Sequence, residues 1–433
     1  MKTEIGLLPE TWPVQRLGDV FETQLGKMLS QKAHGGDAPK PYLRNKNVQW
    51  GSIDTSDMLE MDFSEREKAK FQLHPGDLLI CEGGVPGRAA IWNGAIQECY
   101  YQKALHRLRP RNGSMVNQFM LHWLRFAFDL QNLYGVSGAS STIAHLPEAQ
   151  LKALPIPVPP LDEQRKIAAV LGLVQRAMEH QERLIALTTG LKRTLLHKLF
   201  THGLRAEAQK QTEIGLVPQS WEVVKLAQLF QIKHGFAFEG TFFKPTGRYI
   251  VLTPGHFCES GGFRNQGEKT KFYAADFPRS YLLSKGDLLV AMTEQKEGLI
   301  GSSVVVPEGE RYLHNQRLGL IQDVDEARLT KNFLYYLFNT TAVRKRISMT
   351  ASGSKVRHTS PSKIRDVWVA LPSLAEQHES VRILEAVDRK LAVTSRKHAC
   401  LTDLFRTLLQ QLMTAKTRVH DFDLREERSF FEL

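Results

Sequence analysis

The chain has 433 residues, of which 42% are hydrophobic and 24% are charged, a balance that disfavours the disordered and membrane classes and suits two or three globular domains. Its 57 Lys and Arg residues against 46 Asp and Glu residues leave a net charge of +11, which favours a polyanionic partner such as nucleic acid. No apolar run approaches the roughly 20 residues of a membrane-spanning helix, and no apolar signal segment follows Met1, so we expect a cytoplasmic protein.

The beginning of the chain is repeated in its middle. Residues 3–17, TEIGLLPETWPVQRL, return as residues 212–226, TEIGLVPQSWEVVKL, at an offset of 209. Downstream, PGDLLI (75–80) matches KGDLLV (285–290), and PPLDEQ (159–164) matches PSLAEQ (372–377), where the offset has grown to 213. These matches predict two tandem copies of a unit of about 210 residues, each a globular part followed by a long helix. In this interpretation Trp12 and Trp221 are packing residues.

The globular part of each copy is predicted to mix helices and strands. Residues 71–83 and 281–292 indicate strands entered through a Gly-Asp turn, and AAIW, GSSVVVP and GLIQDV add short β-rich runs. Residues 118–134 and 332–347 indicate helices whose aromatic side chains belong to the core. A polar loop rich in glycine and hydroxyls follows each helix, SGASSTIAHL in the first copy and TASGSKVRHTS in the second. Its composition suits either phosphate contact or an ordinary flexible loop.

Each copy is predicted to end in a long helix. Prolines at 155, 157, 159 and 160 exclude helix before Leu161, and the first helix then continues to about Phe200, with Gly203 as its stop. In the second copy, Ser373 and Glu376 predict a capping box that begins the helix just after Pro372. The apolar seam of the first helix is predicted to be Ile167, Val170, Val174, Ala177, Leu184, Leu187, Leu191, Leu195 and Leu199. That of the second is Val381, Leu384, Val387, Leu391, Thr394, His398, Leu401, Phe405, Leu408 and Leu412.

Two helices of this length are predicted to pair with each other. Forty residues make a rod of roughly 60 Å, which is too long for a small globular core. Antiparallel pairing as a coiled coil buries both seams and gives the molecule a pseudo-twofold axis; the alternative is that each helix packs on its own globular part. We interpret His398 as a packed or partner-facing histidine rather than a ligand. The predicted fold class is α+β, with two mixed domains separated by these helices.

The chain lacks the common motifs of catalysis. There is no G-x-x-x-x-G-K-[ST] string and no nucleobase methyltransferase motif, and Cys81, Cys99, Cys258 and Cys400 are scattered without a CxxC pair. Asp287 followed by Glu294-Gln295-Lys296 resembles the D…ExK pattern of metal-dependent nucleases, but the first copy keeps only the aspartate, Asp77. We therefore expect the aspartate to shape a turn, and we expect neither an active site nor a bound metal.

Taken together, these motifs resemble the specificity subunit of type I restriction-modification systems. The resemblance rests on PPLDEQ and PSLAEQ at the helix entrances, on GDLL in both copies and on the repeated start, and it covers nearly the whole chain. It implies two DNA target-recognition domains, at 1–157 and 206–370, and two helical spacers, at 158–205 and 371–418, with a C-terminal tail at 419–433. It further implies a subunit that is not itself catalytic and reads a bipartite, asymmetric DNA target.

The resemblance also implies partners. Two methyltransferase subunits and the restriction-translocase subunits would assemble on this chain, and S-adenosylmethionine, Mg²⁺ and ATP would belong to them, with no cofactor on the chain itself. A basic coiled-coil scaffold, an RNA-binding protein and, less favoured, a metal-dependent nuclease remain the alternatives.

Candidate DNA contacts are the side chains that bind phosphates or read base edges, namely Lys, Arg, Asn, Gln, His and hydroxyl residues, where they cluster in the globular parts. In the first copy they are Lys27, Lys32, Arg44, Asn45, Lys46, Asn47, Gln49, Gln102, Lys103, Arg107, Ser140, Ser141 and Thr142. In the second copy they are Lys233, His234, Lys244, Arg248, Thr253, His256, Asn315, Gln316, Arg317, Lys355, Arg357 and His358.

Overall fold

The computed structural model describes residues 1–29, 39–135, 145–295 and 297–419. The chain divides into two compact units. Unit 1 consists of Met1–Glu182 together with the chain from Arg396 onward, and unit 2 consists of Arg183–Ser395. Each unit therefore contains one globular part and segments of both long helices. None of the helices in these described ranges is long and apolar enough to cross a membrane.

The globular part of unit 1 is built on a four-stranded antiparallel sheet. Its strands lie in the order Ala89–Ile91, Leu78–Cys81, Leu105–Pro110 and Phe21–Leu25. A second sheet joins Tyr100–Tyr101, Lys40–Leu43 and Leu59–Met61, the first two in parallel. The remaining strands are Lys2–Thr3, Gly6–Leu7, Val14–Arg16, Val48–Gln49, Ser52–Ile53 and Pro155–Pro157. The helices are Leu17–Val20, Glu65–Phe71, Asn117–Leu124, which continues as π-helix over Arg125–Leu130, and Glu148–Ala153, with a 3₁₀ turn at Asn45–Asn47.

Unit 2 repeats this plan. Its four-stranded antiparallel sheet has the order Gln231–His234, Leu318–Gln322, Leu288–Ala291 and Ser303–Val305, and its second sheet the order Phe243–Lys244, Phe272–Tyr273, Tyr249–Leu252 and Tyr312–His314, the last two parallel. Further strands are Gln209–Thr212, Gly215–Pro218, Glu222–Lys225, Thr293–Glu294, Arg357–His358 and Trp368–Leu371. Helices span Lys331–Phe338, Thr341–Met349 and Pro361–Arg365, and 3₁₀ turns span Leu226–Gln228, Gly240–Phe242, Pro254–His256, Gly267–Lys269 and Arg279–Tyr281. The predicted α+β class is confirmed.

The Gly-Asp turns have the predicted structural role. Asp77 accepts the backbone N–H of His74 and Asp287 that of Ser284, both at 2.8 Å. Each aspartate thereby closes the turn that leads into a fully buried central strand. The repeated tryptophans are buried as predicted, and each also donates its indole N–H to a glutamate near the start of a long helix, Trp12 to Glu163 at 2.9 Å and Trp221 to Glu376 at 3.2 Å.

The long helices run over Leu161–Thr201 and Leu374–Met413 and pair as predicted. Their antiparallel direction is visible inside each unit. In unit 1 Glu163 contacts Arg418 and Glu182 contacts His398. In unit 2 Lys192 contacts Asp388, and Leu204, just after the first helix, contacts Glu376 near the start of the second. The helices also pack on the globular parts, which was the alternative interpretation. Leu199 and Leu384 belong to the core of unit 2, and Ile167 and Phe405 to that of unit 1.

The predicted seam of the second helix is buried or half-buried along its length, but that of the first helix is wrong in its middle. Leu184, Leu187 and Leu191 are 39%, 64% and 50% exposed. The face that is buried or half-buried advances in alternating steps of four and three and consists of Ile167, Leu171, Val174, Met178, Gln181, Ile185, Thr188, Lys192, Leu195 and Leu199. Because polar residues occupy the central positions of this face, the spacing of apolar residues favoured the neighbouring leucine stripe instead.

The predicted capping box is half formed. Ser373 Oγ accepts the N–H of Glu376 at 3.4 Å. The Glu376 carboxylate, however, accepts from the backbone N–H of Leu204 at 2.8 Å and from Trp221, because it lies against the chain that leaves the first helix.

Candidate nucleic-acid interface

In unit 1 the predicted DNA-contact segments meet where neighbouring strands end. Lys27 and Gln102 form an isolated parallel bridge, in which the Lys103 N–H donates to the Lys27 carbonyl at 2.8 Å. Gln102 N–H donates to the Leu43 carbonyl at 3.1 Å, which brings Arg44 alongside. We call residues 26–29, 44–49, 82–88, 102–104 and 145 the strand-end cluster of unit 1.

The loop at residues 82–88 completes this cluster. Asn45 Nδ2 donates to the Gly83 carbonyl at 3.1 Å, and Gly83 forms a bridge with His145. Arg88 donates to the Asn45 carbonyl at 2.9 Å and to Gln49 Oε1 at 3.2 Å. Sequence reasoning missed Arg88, because nothing in GGVPGR indicates that its guanidinium orients a glutamine from another segment.

Unit 2 has a cluster of the same construction. Phe236 and Asn315 form the corresponding parallel bridge, and the Gln316 N–H donates to the Phe236 carbonyl at 2.9 Å. The pairing of Leu252 with His314 brings Thr253 alongside. Thr293–Glu294 pairs with Arg357–His358, and the Met292 N–H donates to the Arg317 carbonyl at 3.0 Å. We call residues 235–237, 253–256, 292–295, 297–298, 315–317 and 357–358 the strand-end cluster of unit 2.

Two local features explain why both clusters fold alike. A Cβ on Gly26 would lie 2.4 Å from the Gln102 carbonyl oxygen, and one on Gly235 would lie 2.0 Å from that of Asn315, so the bridge requires glycine at both places. The adjoining turn is also closed in the same way. Asn47 Oδ1 accepts the Arg44 N–H at 2.9 Å, as His256 Nδ1 accepts the Thr253 N–H at 3.2 Å.

Several predicted DNA contacts are internal. Asn47, Arg107 and His256 are 1%, 4% and 3% exposed. Asn47 holds its own turn, and Arg107 donates to the Lys70 carbonyl at 3.1 Å. Burial lowers the pKa of His256 to about 4, so this imidazole is neutral at pH 7 and adds no positive charge to the surface. Asn47 and His256 thus support their clusters from within, whereas Arg107 binds outside the cluster of unit 1.

A second group consists of basic residues that already have partners. Lys27 binds the Asp62 carbonyl and Glu67, at 2.6 and 2.8 Å. Arg44 and Lys46 both contact Asp57, and the hydrogen bond from Lys46 lowers the pKa of that carboxyl. In unit 2, Lys233 donates to the Ser280 carbonyl at 2.6 Å, and Arg357 pairs with Glu294 at 2.8 Å.

The remaining predicted contacts are mostly on the surface. Asn45, Gln102 and Thr253 are half-buried, and Asn315 is buried. The exposed members are Gln49, Lys103, His234, Lys244, Arg248, Gln316, Arg317, Lys355 and His358. Lys32, Ser140, Ser141 and Thr142 lie outside the described residues. Lys103 thus lies in the strand-end cluster of unit 1, and Gln316, Arg317 and His358 lie in that of unit 2.

The nuclease-like carboxylates are held in structural contacts. Asp287 closes its turn, and Glu294 is 3% exposed and is paired with Arg357. Lys296 lies outside the described residues. Across the described ranges, no group of three or more His, Cys, Asp or Glu side chains could hold a metal ion.

A family model described as the type I restriction modification DNA specificity domain matches residues 9–189 and 218–402. The type I restriction enzyme MjaVIII specificity subunit of Methanocaldococcus jannaschii is 23% identical over 96% of this chain and 95% of its own length. The EcoKI specificity subunit of Escherichia coli K12 is 23% identical over 88% and 82%. The crystal structure of an S subunit from M. genitalium matches with a TM-score of 0.60 at 16% identity, covering 95% and 99% of the two chains.

Proposed function

Because the chain belongs to the type I restriction-modification DNA specificity family, we propose that it is the non-catalytic subunit that gives such a complex its DNA sequence specificity. The supporting observation is the pair of strand-end clusters, which share a backbone construction and differ in their exposed side chains. Two readers of one design with different side chains recognise two different short sequences. The target is therefore bipartite and asymmetric.

In this proposal the recognition domains occupy 1–157 and 206–370, the spacers 158–205 and 371–418, and the tail 419–433. Exposed lysines and arginines such as Lys103, Arg317 and Lys355 bind phosphates and fix the register on the duplex. Amides such as Gln49 and Gln316 read base edges. Arg88 donates to the side-chain oxygen of Gln49, and the Gln49 amide nitrogen donates to the Lys46 carbonyl, so the amide is oriented before DNA arrives.

The partners in this proposal are two methyltransferase subunits and the restriction-translocase subunits, all in the cytoplasm, and they carry S-adenosylmethionine, Mg²⁺ and ATP. Leu184, Leu187 and Leu191 form an exposed stripe on the first long helix, at spacings of three and four residues. Such a stripe suits the apolar face of a partner. Replacing Leu187 by Arg should abolish co-purification with the methyltransferase subunit while DNA binding by the chain persists.

The decisive experiment is to co-express this chain with its methyltransferase partner and to map methylated adenines by single-molecule sequencing. One split, asymmetric motif supports the proposal. Exchange of residues 20–150 for those of another family member should then change one half of the motif, and a change in both halves would contradict independent reading. An intact complex that methylates no motif would refute the specificity function and favour a scaffold.

A further inference from the structure

A row of aromatic rings crosses the second sheet of unit 2. We call it the aromatic strip, and its members are Phe236, Phe238, Phe243, Tyr249, Tyr273 and Tyr281. Phe243 and Tyr249 are the register partners of Tyr273 on its two neighbouring strands, so these three side chains lie on one face of the sheet.

The strip continues from this sheet into the strand-end cluster of unit 2. Phe238 lies against Tyr273, with 4.9 Å between the ring centroids. Phe236 lies against Phe238 and Tyr281, at 5.1 and 5.2 Å. Because Phe236 forms the parallel bridge with Asn315, the strip extends the surface of the cluster.

Four cationic side chains lie on these rings, namely Lys233, Arg248, Lys271 and Arg279. Lys233 Nζ is 4.5 Å from the centroid of Tyr281, and Lys271 Nζ is 5.5 Å from that of Phe243. Arg248 Cζ is 5.2 Å from the centroid of Tyr249, whose hydroxyl oxygen is 3.5 Å from Arg279 Nη1. Lys233 is half-buried and the other three cations are exposed.

The charges of these cations are not neutralised by acidic side chains. In the part of the chain that the structure describes, none of the four forms an ion pair with a carboxylate. A ring face attracts a cation but leaves its net charge unchanged. The cations are therefore held in place before a polyanion arrives, so less conformational entropy is lost when it binds.

The corresponding sheet of unit 1 is different, because its cations are paired with acids. Ion pairs with carboxylates bind five basic residues in and around it, namely Lys27, Lys40, Arg44, Lys46 and Lys68. The sequence shows the same contrast. Between the first strand of the main sheet and the Gly-Asp turn, residues 21–77 contain eight Lys and Arg against nine Asp and Glu, whereas residues 231–287 contain eight against five.

We propose that the two units contribute unequally to DNA binding, and that the aromatic strip of unit 2 with its four cations holds the phosphate backbone independently of sequence. The inference rests on the proposed function, which makes DNA the polyanion. Tyr249 lies four residues before Thr253 of the cluster, roughly 13 Å along an extended chain, or about four base-pair steps of duplex. One duplex can thus contact the strip and the cluster together. Unit 2 supplies most of the salt-dependent affinity, and unit 1 adds discrimination with little affinity.

The test measures how salt weakens DNA binding by the purified methyltransferase complex, using fluorescence anisotropy with a labelled duplex of random sequence. The triple variant Arg248→Gln, Lys271→Gln and Arg279→Gln should bind at least about tenfold more weakly, and its slope of log affinity against log salt should be smaller by about 2.7. The matched control in unit 1 is Lys40→Gln, Lys46→Gln and Lys68→Gln, which should change that slope by less than about 1. Equal slope changes in the two triple variants overturn the inference.

Two further measurements separate lost charge from other effects. Arg248→Lys combined with Arg279→Lys keeps both charges and should keep the slope; a decrease as large as that of the triple glutamine variant would indicate a damaged fold and overturn the inference. Loss of the methyltransferase subunit from the glutamine variant, with an unchanged slope, would instead assign the strip to an acidic protein surface. Methylation mapping distinguishes the two conclusions, since an unchanged slope with an intact motif refutes the inference alone, whereas the absence of any motif in wild type refutes the proposed function.

Discussion

Replacing Gln377 by Ala should destabilise unit 2 selectively. Gln377 is the last residue of PSLAEQ and is fully buried. Its Oε1 accepts the Thr330 N–H at 3.0 Å, at the start of the helix Lys331–Phe338, and its Nε2 donates to the carbonyls of Arg328 and Pro372 at 2.7 and 3.0 Å. One side chain therefore ties the second long helix to the globular part of the unit.

The size of the destabilisation expected for Gln377→Ala follows from the three backbone groups that would lose their hydrogen-bond partner. Net hydrogen-bond contributions are about 1 kcal/mol each, and a buried group left unsatisfied costs about 1–3 kcal/mol. Allowing for partial relaxation, we expect a loss of about 3 kcal/mol for unit 2. Gln377→Glu keeps the size but faces two carbonyl oxygens with a carboxylate, so it should cost at least as much. That comparison separates hydrogen bonding from lost volume.

Hydrogen exchange followed by mass spectrometry measures the effect in each unit separately. If unit 2 loses about 3 kcal/mol of stability, the rate of amide hydrogen exchange that requires opening of the unit should rise roughly a hundredfold in peptides of the helix Lys331–Phe338. Peptides of Asn117–Leu124 in unit 1 should not change. His378→Ala is the matched control, because His378 is the exposed neighbour and should shift stability by no more than about 0.5 kcal/mol. A Gln377→Ala effect as small as that of the control would refute the reasoning.

Three further predictions concern unit 2. Gly235→Ala should weaken DNA binding at least about tenfold, because its Cβ would meet the Asn315 carbonyl at 2.0 Å; unchanged affinity in a gel-shift titration contradicts this. Burial lowers the pKa of His314 from 6.5 to about 4, so stability should fall as the pH drops below 6.5 and level off near 4. Urea unfolding at pH 7 and pH 5 measures how much the free energy of unfolding decreases with acid, and this decrease should be about 2 kcal/mol smaller in His314→Gln than in wild type. Trp221→Phe removes the donor to Glu376 and should cost about 1–3 kcal/mol in thermal unfolding, and equal stability would argue against that bond.

The acid sensitivity has a clear structural origin. His314 Nε2 contacts the Leu318 carbonyl at 2.8 Å, which assigns the proton of the neutral ring to that nitrogen. Within the described chain, Nδ1 is buried and has no hydrogen-bond partner. A second proton would therefore be placed on an atom without an acceptor, and the folded state resists it.

The candidate interface was predictable as segments but not as individual residues. Composition identified residues 44–49, 102–107 and 315–317, and the structure brings the greater part of them into the strand-end clusters. It did not reveal that Asn47, Arg107 and His256 face inward, because a polar residue at a turn looks the same in the sequence whether it caps its own backbone or meets a ligand. Glu294 resembled a nuclease carboxylate for the same reason, because it accepts the backbone N–H groups of Gly298, Leu299 and Ile300 in its own loop.

The sequence by itself determined the duplication, the α+β class and the limits of the long helices. These features depend on local signals, namely a repeated string, proline-rich entrances at Pro159 and Pro372, and periodic apolar residues, which act within a few residues of themselves. Only the tertiary structure decided which face of the first helix is buried and what Gln377 and Glu376 bind. Their partners beyond the helix entrance lie tens of residues or more away in sequence, and a half-buried polar contact such as Lys192 with Asp388 can outweigh a nearby leucine stripe.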